Sequence, residues 1–210
     1  MKIQWLGHSS FRITGSKTVI TDPYGDIGLQ FPDVRADIVT VSHTHYDHNA
    51  IDAVKGEPAI VDDAGPHRVA GIEVTGYNTA HDDQQGALRG MNTVFIIQMD
   101  GTRVAHLGDL GCMPDHNVLG ALQGVDVLLI PVGGNYTIDA ATAAEIVRLI
   151  QPRVTIPMHY KTKGMKVNVS GVEDFLSRME DVDTVDGSET EITPAMHKVV
   201  VFSKPMGENE

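Results

Sequence analysis

Four side chains able to bind a metal ion crowd into the stretch SHTHYDH at 42–48: His43, His45, Asp47 and His48. Taking so many titratable groups out of water is costly unless an ion coordinates them, so the spacing itself argues for metal chemistry. His43 and His45 stand two apart at the end of an extended run and can project to one side as a pair of imidazole donors. Asp47 and His48 follow in a turn and can address a second ion. One segment therefore offers half-sets for two metals, and a pair of dications is a means of generating hydroxide at neutral pH.

The half-sets need completion, and three later segments carry suitable side chains at strand ends. His81 lies in NTAHDD after the extended run IEVTGY, Asp109 in HLGDLG and His159 in IPMHYK. In a layered α/β protein the loops at one sheet edge converge, so residues this far apart can share a site. Periodicity and turn residues indicate the elements that must position them. Strands are expected at 2–6, 11–14, 18–21 and 36–42 as a meander, and at 91–100 and 102–109 around the hairpin signal Asp100-Gly101. Strands at 126–132 and 153–159 bracket a helix at 139–151, whose Ala143, Ile146, Val147 and Ile150 recur at helical spacing before Pro152 ends it. A helix at 172–179 and a strand at 197–203 follow. The near-continuous apolar strands at 38–41 and 127–132 require cover on both faces, which points to helices packed on sheet.

Composition narrows the chemistry further. The 210 residues, 41% hydrophobic, suit one domain over 1–203 with a frayed tail at 204–210. The single cysteine, Cys112, excludes an intramolecular disulfide framework and a thiolate-rich zinc site, so any metal is held by His and carboxylate. A net charge of −12 repels extended nucleic acid and anionic membrane. A small anionic substrate stays compatible, because a dication and a few local Lys or Arg reverse the sign within a cleft. With no signal-peptide pattern and no apolar run of roughly 18 residues, a cytoplasmic location is expected.

Taken in order, WLGHSSFRI, TDPY, ADIVTVSHTHYDHNA, TAH, HLGDLG, LLIPVGG and TIPMHY resemble the metallo-β-lactamase superfamily. The likeness is to its small group of predicted metal-dependent hydrolases, similar to L-ascorbate-6-phosphate lactonase-like proteins. It implies a four-layer αββα sandwich with a dinuclear site at one edge. By motif, His43, His45 and His81 would hold the first metal, Asp47, His48 and His159 the second, and Asp109 would bridge them. The antibiotic-cleaving members place Cys where Asp109 stands, and the flavo-diiron members place Glu where His45 stands. RNA-processing members carry clamp segments or an inserted domain for which this chain has no room.

The expected function is metal-dependent hydrolysis of a small ester, lactone, amide or phosphoester by a metal-bridging hydroxide. The expected cofactor is two divalent ions, zinc first, with manganese, iron or nickel also compatible with His and carboxylate. A mononuclear iron oxidoreductase of the same fold and a non-catalytic metal-binding module are the alternatives. Asp47 is expected to position the nucleophile, and His8 to act as a proton donor or substrate contact, unless it is a hydrogen-bonded structural residue. Asp22 either accepts the second ring N–H of a ligand histidine or is an ordinary turn carboxylate. His106 is expected to pack near the site without binding metal, and Cys112 to be a bystander. Lys161 and Lys163 are candidates for anion binding, while His67, His116 and His197 are expected at the surface.

Overall fold

The computed structural model describes residues 1–206. The first strands alternate between two buried faces and build a six-stranded sheet. β1 (Lys2–Gly7), β2 (Ser10–Thr14) and β3 (Thr18–Thr21) pair antiparallel in sequence order. The meander stops there. β4 (Ile38–Thr40) runs parallel to β3 and β5 (Ala59–Val61) parallel to β4, because residues 22–37 cross over before the chain re-enters the sheet.

The second sheet has eight strands. β6 (Gly65–Val69), β7 (Ile72–Ala80), β8 (Met91–Met99) and β9 (Thr102–His106) are antiparallel. β10 (Val127–Pro131), β11 (Val154–Met158), β14 (Lys198–Phe202) and β12 (Val182–Val185) continue it in parallel. The turn between β8 and β9 has Asp100 and Gly101 both at positive φ (52° and 73°), the hairpin geometry that this dipeptide favours. β13 (Glu189–Glu191) leaves this half of the chain and pairs with β1 at the edge of the first sheet.

The two sheets share one apolar core. Ile3, Trp5, Phe11 and Ile13 belong to the same buried cluster as Val94, Val104 and Leu129, and so do Ala143, Ile146 and Val147 of α2 (Ala140–Ile150). Every residue of β10 is buried, as a strand sandwiched on both faces should be. α1 (His116–Leu122), capped by Asp115, was not expected, since seven residues are too few to show a helical period. α3 (Glu173–Leu176) is shorter than the expected 172–179 because the chain tightens into i→i+3 hydrogen bonds at Arg178 and Met179. Over the outer face of the first sheet, the expected helical layer is reduced to a 3₁₀ turn at Ile51–Ala53 and the segment carrying Phe31, Val34 and Ala36. Among the described residues no helix is long and apolar enough to cross a membrane.

Of the expected tail, Pro205 is buried and Met206 N–H donates to the Trp5 carbonyl (3.0 Å), so this part is fixed against β1. Residues 207–210 lie outside the described residues.

Candidate metal centre

The site forms where β3, β4, β7, β9 and β11 end. Asp22, immediately after β3, turns through a left-handed backbone (φ 38°) and aims its carboxylate under the next loop. That carboxylate accepts from Ser42 N–H (2.8 Å) and Ser42 Oγ–H (2.5 Å), and His48 Nδ1 lies 2.8 Å from it. Ser42 Oγ also lies 3.0 Å from His43 Nδ1. With the Ser42 hydrogen committed to Asp22, His43 Nδ1 must be the donor to Oγ, and His48 Nδ1 the donor to Asp22. The network therefore makes Nδ1 the donor in both rings, so that in the neutral form, which a ligand requires, Nε2 carries the lone pair facing the site.

Asp109 is held as firmly. Its N–H donates to Asn92 Oδ1 (2.8 Å), and the Asn92 amide donates to Thr79 Oγ1 (2.8 Å) and the Leu107 carbonyl (3.0 Å). Gly108 precedes it at φ 54°, where a Cβ would collide with Asn92 and Ser42. His8 and His159 also adopt left-handed backbone (φ 53° each), and His159 N–H donates to the His8 carbonyl (3.3 Å). Three non-glycine residues in this sparsely populated region around one site mark it as over-determined by its surroundings.

All seven sequence-derived metal candidates come together. Donor atoms of His43, His45 and His81 form one group within 4.8 Å of each other, and those of Asp47, His48 and His159, with His8, form another. Asp109 lies between them. Its Oδ2 is 3.4 Å from His81 Nε2, 3.2 Å from His159 Nε2 and 4.0 Å from His43 Nε2, while Oδ1 is 3.2 Å from His48 Nε2.

The donor chemistry fits divalent cations. His43 Nε2, His48 Nε2, His159 Nε2 and Asp109 Oδ1 are buried without a hydrogen-bond partner, an arrangement costing roughly 1–3 kcal/mol per atom unless something coordinates them. Burial and the neighbouring His48 push His43 down to about 3, keeping its ring neutral as a ligand requires. Burial opposes ionisation of Asp109, but His159 and His48 outweigh it and hold the carboxyl well below the usual range. His48 is likewise pushed down by burial yet raised overall by Asp109 and Asp22, so this position attracts positive charge. His and carboxylate together suit zinc, manganese, iron or nickel.

His8 has no exposed surface, so as the molecule stands it offers no face to a substrate; burial and His159 lower it to about 4. His106 spends both ring nitrogens on backbone, Nε2–H donating to the Ser9 carbonyl (2.7 Å) and Nδ1 accepting from Gly108 N–H (3.3 Å). Lys161 Nζ is tied to the carbonyls of Met165 (2.6 Å) and Val167 (3.1 Å), staples a loop, and is not a pocket residue. Lys163 is exposed and away from the pocket. Cys112 lines neighbouring clefts, with its thiol raised by burial. His116 and His197 are exposed and His67 is half-buried.

An open pocket of about 470 Å³ reaches His45, Asp47, His81 and Asp109, with Tyr46, Arg89, Tyr136 and Lys166 also on its walls. Sequence reasoning missed Arg89, Tyr136 and Lys166, and also Asn92 and Asp82. Asp82 follows His81, and its carboxylate accepts four backbone N–H groups, from Gln84, Gly86, Leu88 and Arg89, thereby folding the loop that carries Arg89. The polar run DDQQG directly after a ligand candidate was the available signal.

Known proteins agree with this architecture. A family model described as a beta-lactamase superfamily domain matches residues 2–159. A UPF0173 metal-dependent hydrolase from Archaeoglobus fulgidus is 34% identical over 194 residues, covering 77% of this chain and 84% of its own. One of the same name from Methanoregula boonei is 29% identical, covering 93% of this chain and 100% of its own. A solved Thermotoga maritima structure, described as a candidate Zn-dependent hydrolase of the metallo-β-lactamase superfamily, superposes with a TM-score of 0.82 at 39% identity, over 96% of this chain and 97% of that one. With the family model matching residues 2–159 and a fold and sequence shared with these relatives over most of its length, the chain belongs to the metallo-β-lactamase superfamily.

Proposed function

We propose that this protein is a dinuclear metal-dependent hydrolase acting on a small ester, lactone, amide or phosphoester. The observation that carries the reading is that an all-histidine group and a His/Asp group meet at the Asp109 carboxylate on the wall of an open pocket. When bound, two dications would lower the pKa of water and polarise the electrophilic oxygen. The chain's own residues do the positioning. His43, His45 and His81 would hold one ion, Asp47, His48 and His159 the other, and Asp109 would serve both. Asp22, reaching His48 directly and His43 through Ser42, keeps both rings oriented.

Asp47 reaches the pocket, and although burial works against its ionisation, His8 and His48 hold it well below the usual carboxylate range. It is therefore an ionised acceptor placed to orient attacking water. His8 Nε2 lies 3.4 Å from Asp47 Oδ2 and supports that carboxylate from the buried side. The Asp109 carboxylate, where antibiotic-cleaving members place Cys, argues against β-lactam substrates. The charge of −12 argues against nucleic acid, and a cytoplasmic location accords with the cysteine usage.

The test is metal analysis of the purified protein combined with a panel of esters, lactones, amides and phosphoesters. Two ions per chain are expected, with hydrolysis lost on chelation and restored by readding metal. One ion per chain at full loading, or turnover unchanged after complete metal removal, would sink the proposal.

A further inference from the structure

The pocket walls carry two cations that the proposed chemistry does not use. Among the described residues the Arg89 guanidinium donates one hydrogen bond, from Nη2 to the Asn135 carbonyl (3.1 Å), and stands 5.6 Å from the Tyr136 ring centroid. Among the described residues no carboxylate lies within ion-pair distance of it. Its placement is built rather than incidental. Asp82 accepts from the Arg89 N–H itself (2.8 Å), and Asn135 is braced in turn by its side-chain donation to the Asn168 carbonyl (2.7 Å). Lys166 lines the same pocket, and its ammonium meets, among the described residues, only Asp26, at 3.4 Å between two largely exposed groups, a pairing that water screens. Tyr46, 66% exposed, and Tyr136, 37% exposed, add two partly exposed rings to the same walls.

In a chain of net charge −12, a guanidinium on a pocket wall with no carboxylate partner is a local positive charge open to an anion. A guanidinium presents a planar fork of N–H donors that matches the oxygens of a carboxylate or phosphate. We propose that Arg89, assisted by Lys166, forms an anion subsite, so that the substrate carries a carboxylate or phosphate at a distance from the bond cleaved. Its body is flat or apolar and lies against Tyr46 and Tyr136. This rests on the hydrolase reading for the meaning of the pocket, while the subsite itself is read by binding alone.

The experiment is calorimetric titration of the full-length, metal-loaded protein with three probes of similar shape: phenylphosphonate, benzoate and the neutral benzamide. Arg89→Gln should weaken phenylphosphonate or benzoate by about tenfold, and benzamide by less than about twofold, at unchanged metal content. Whichever anion loses more identifies phosphate or carboxylate as the preferred group. Arg89→Lys should fall between wild type and Arg89→Gln. If Arg89→Gln does not fold, Lys166→Gln, a change at an exposed side chain, should lower anion affinity about threefold without affecting benzamide. Wild-type affinity for both anions in the folded variant overturns the subsite. Since no turnover is read, a protein that cleaves nothing yet shows the anion preference refutes the hydrolase reading alone.

Discussion

Asp22 shows how one buried carboxylate can organise two ligand candidates at once. It fixes the His48 tautomer directly and the His43 tautomer through Ser42, so removing it frees two rings to rotate or exchange tautomers. Asp22→Ala should reduce metal affinity by about 10–100-fold, measured by competition with a chromophoric chelator, while the fold by circular dichroism persists. Unchanged affinity would mean that neither ring depends on it. Asp109→Asn should be harsher, because it removes the negative charge placed between two cation sites: metal content should fall and hydrolysis with it by orders of magnitude. Wild-type metal content and activity in that variant would place the centre of the site elsewhere. The ligand candidates were legible because His and Asp packed this densely have few other uses. Asn92, Asp82 and Arg89 were not, because an amide under a loop or an arginine on one acquires its meaning from backbone geometry that no local spacing encodes.

At the level of elements, the long strands and α2 followed from periodicity, whereas β12, β13 and α1 are too short or too exposed to show one. The parallel placement of β4 was illegible for a different reason: a crossover is chosen by what the loop packs against, here the cluster of Leu6, Ile20, Val39 and Val54 under Phe31. α2 follows a loop of the pocket, the one with Asn135 and Tyr136, and its start is fixed by Asp139, which caps the Thr142 N–H (2.8 Å). Asp139→Ala should cost about 1 kcal/mol in urea unfolding at neutral pH. The Thr142 N–H holds the Asp139 carboxyl below its ordinary value, so the cap's charge contributes fully above the unfolded pKa and is lost as pH falls through the folded one. The gap between wild type and Asp139→Ala should therefore narrow on acidification below about pH 4. A gap independent of pH would show that the carboxylate charge is not what caps the helix.

For the whole molecule, a buried cluster of unpartnered ring nitrogens around one unpartnered Asp109 oxygen makes ion binding part of stability. Any ion that binds only the folded chain stabilises it by about 2.7 kcal/mol at a hundredfold excess over its Kd. Chelation should accordingly lower the melting temperature by several degrees in calorimetry, and readdition should restore it. An identical melting curve with and without metal would show that the donors are not ligands. The pairing of β13 with β1 has a further effect, on the order in which the molecule can be made. During synthesis β1 is made well before the strand that covers its edge, at 189–191, and Trp5 waits for Ser188 and Met206 to satisfy its backbone. The nascent chain therefore carries an uncovered strand edge, and beside it an unsealed first sheet, until nearly all of these residues have emerged. Closure of the first sheet is thus a late event, and a ribosome stalled before 188 would hold a β1 whose outer edge is still unpaired.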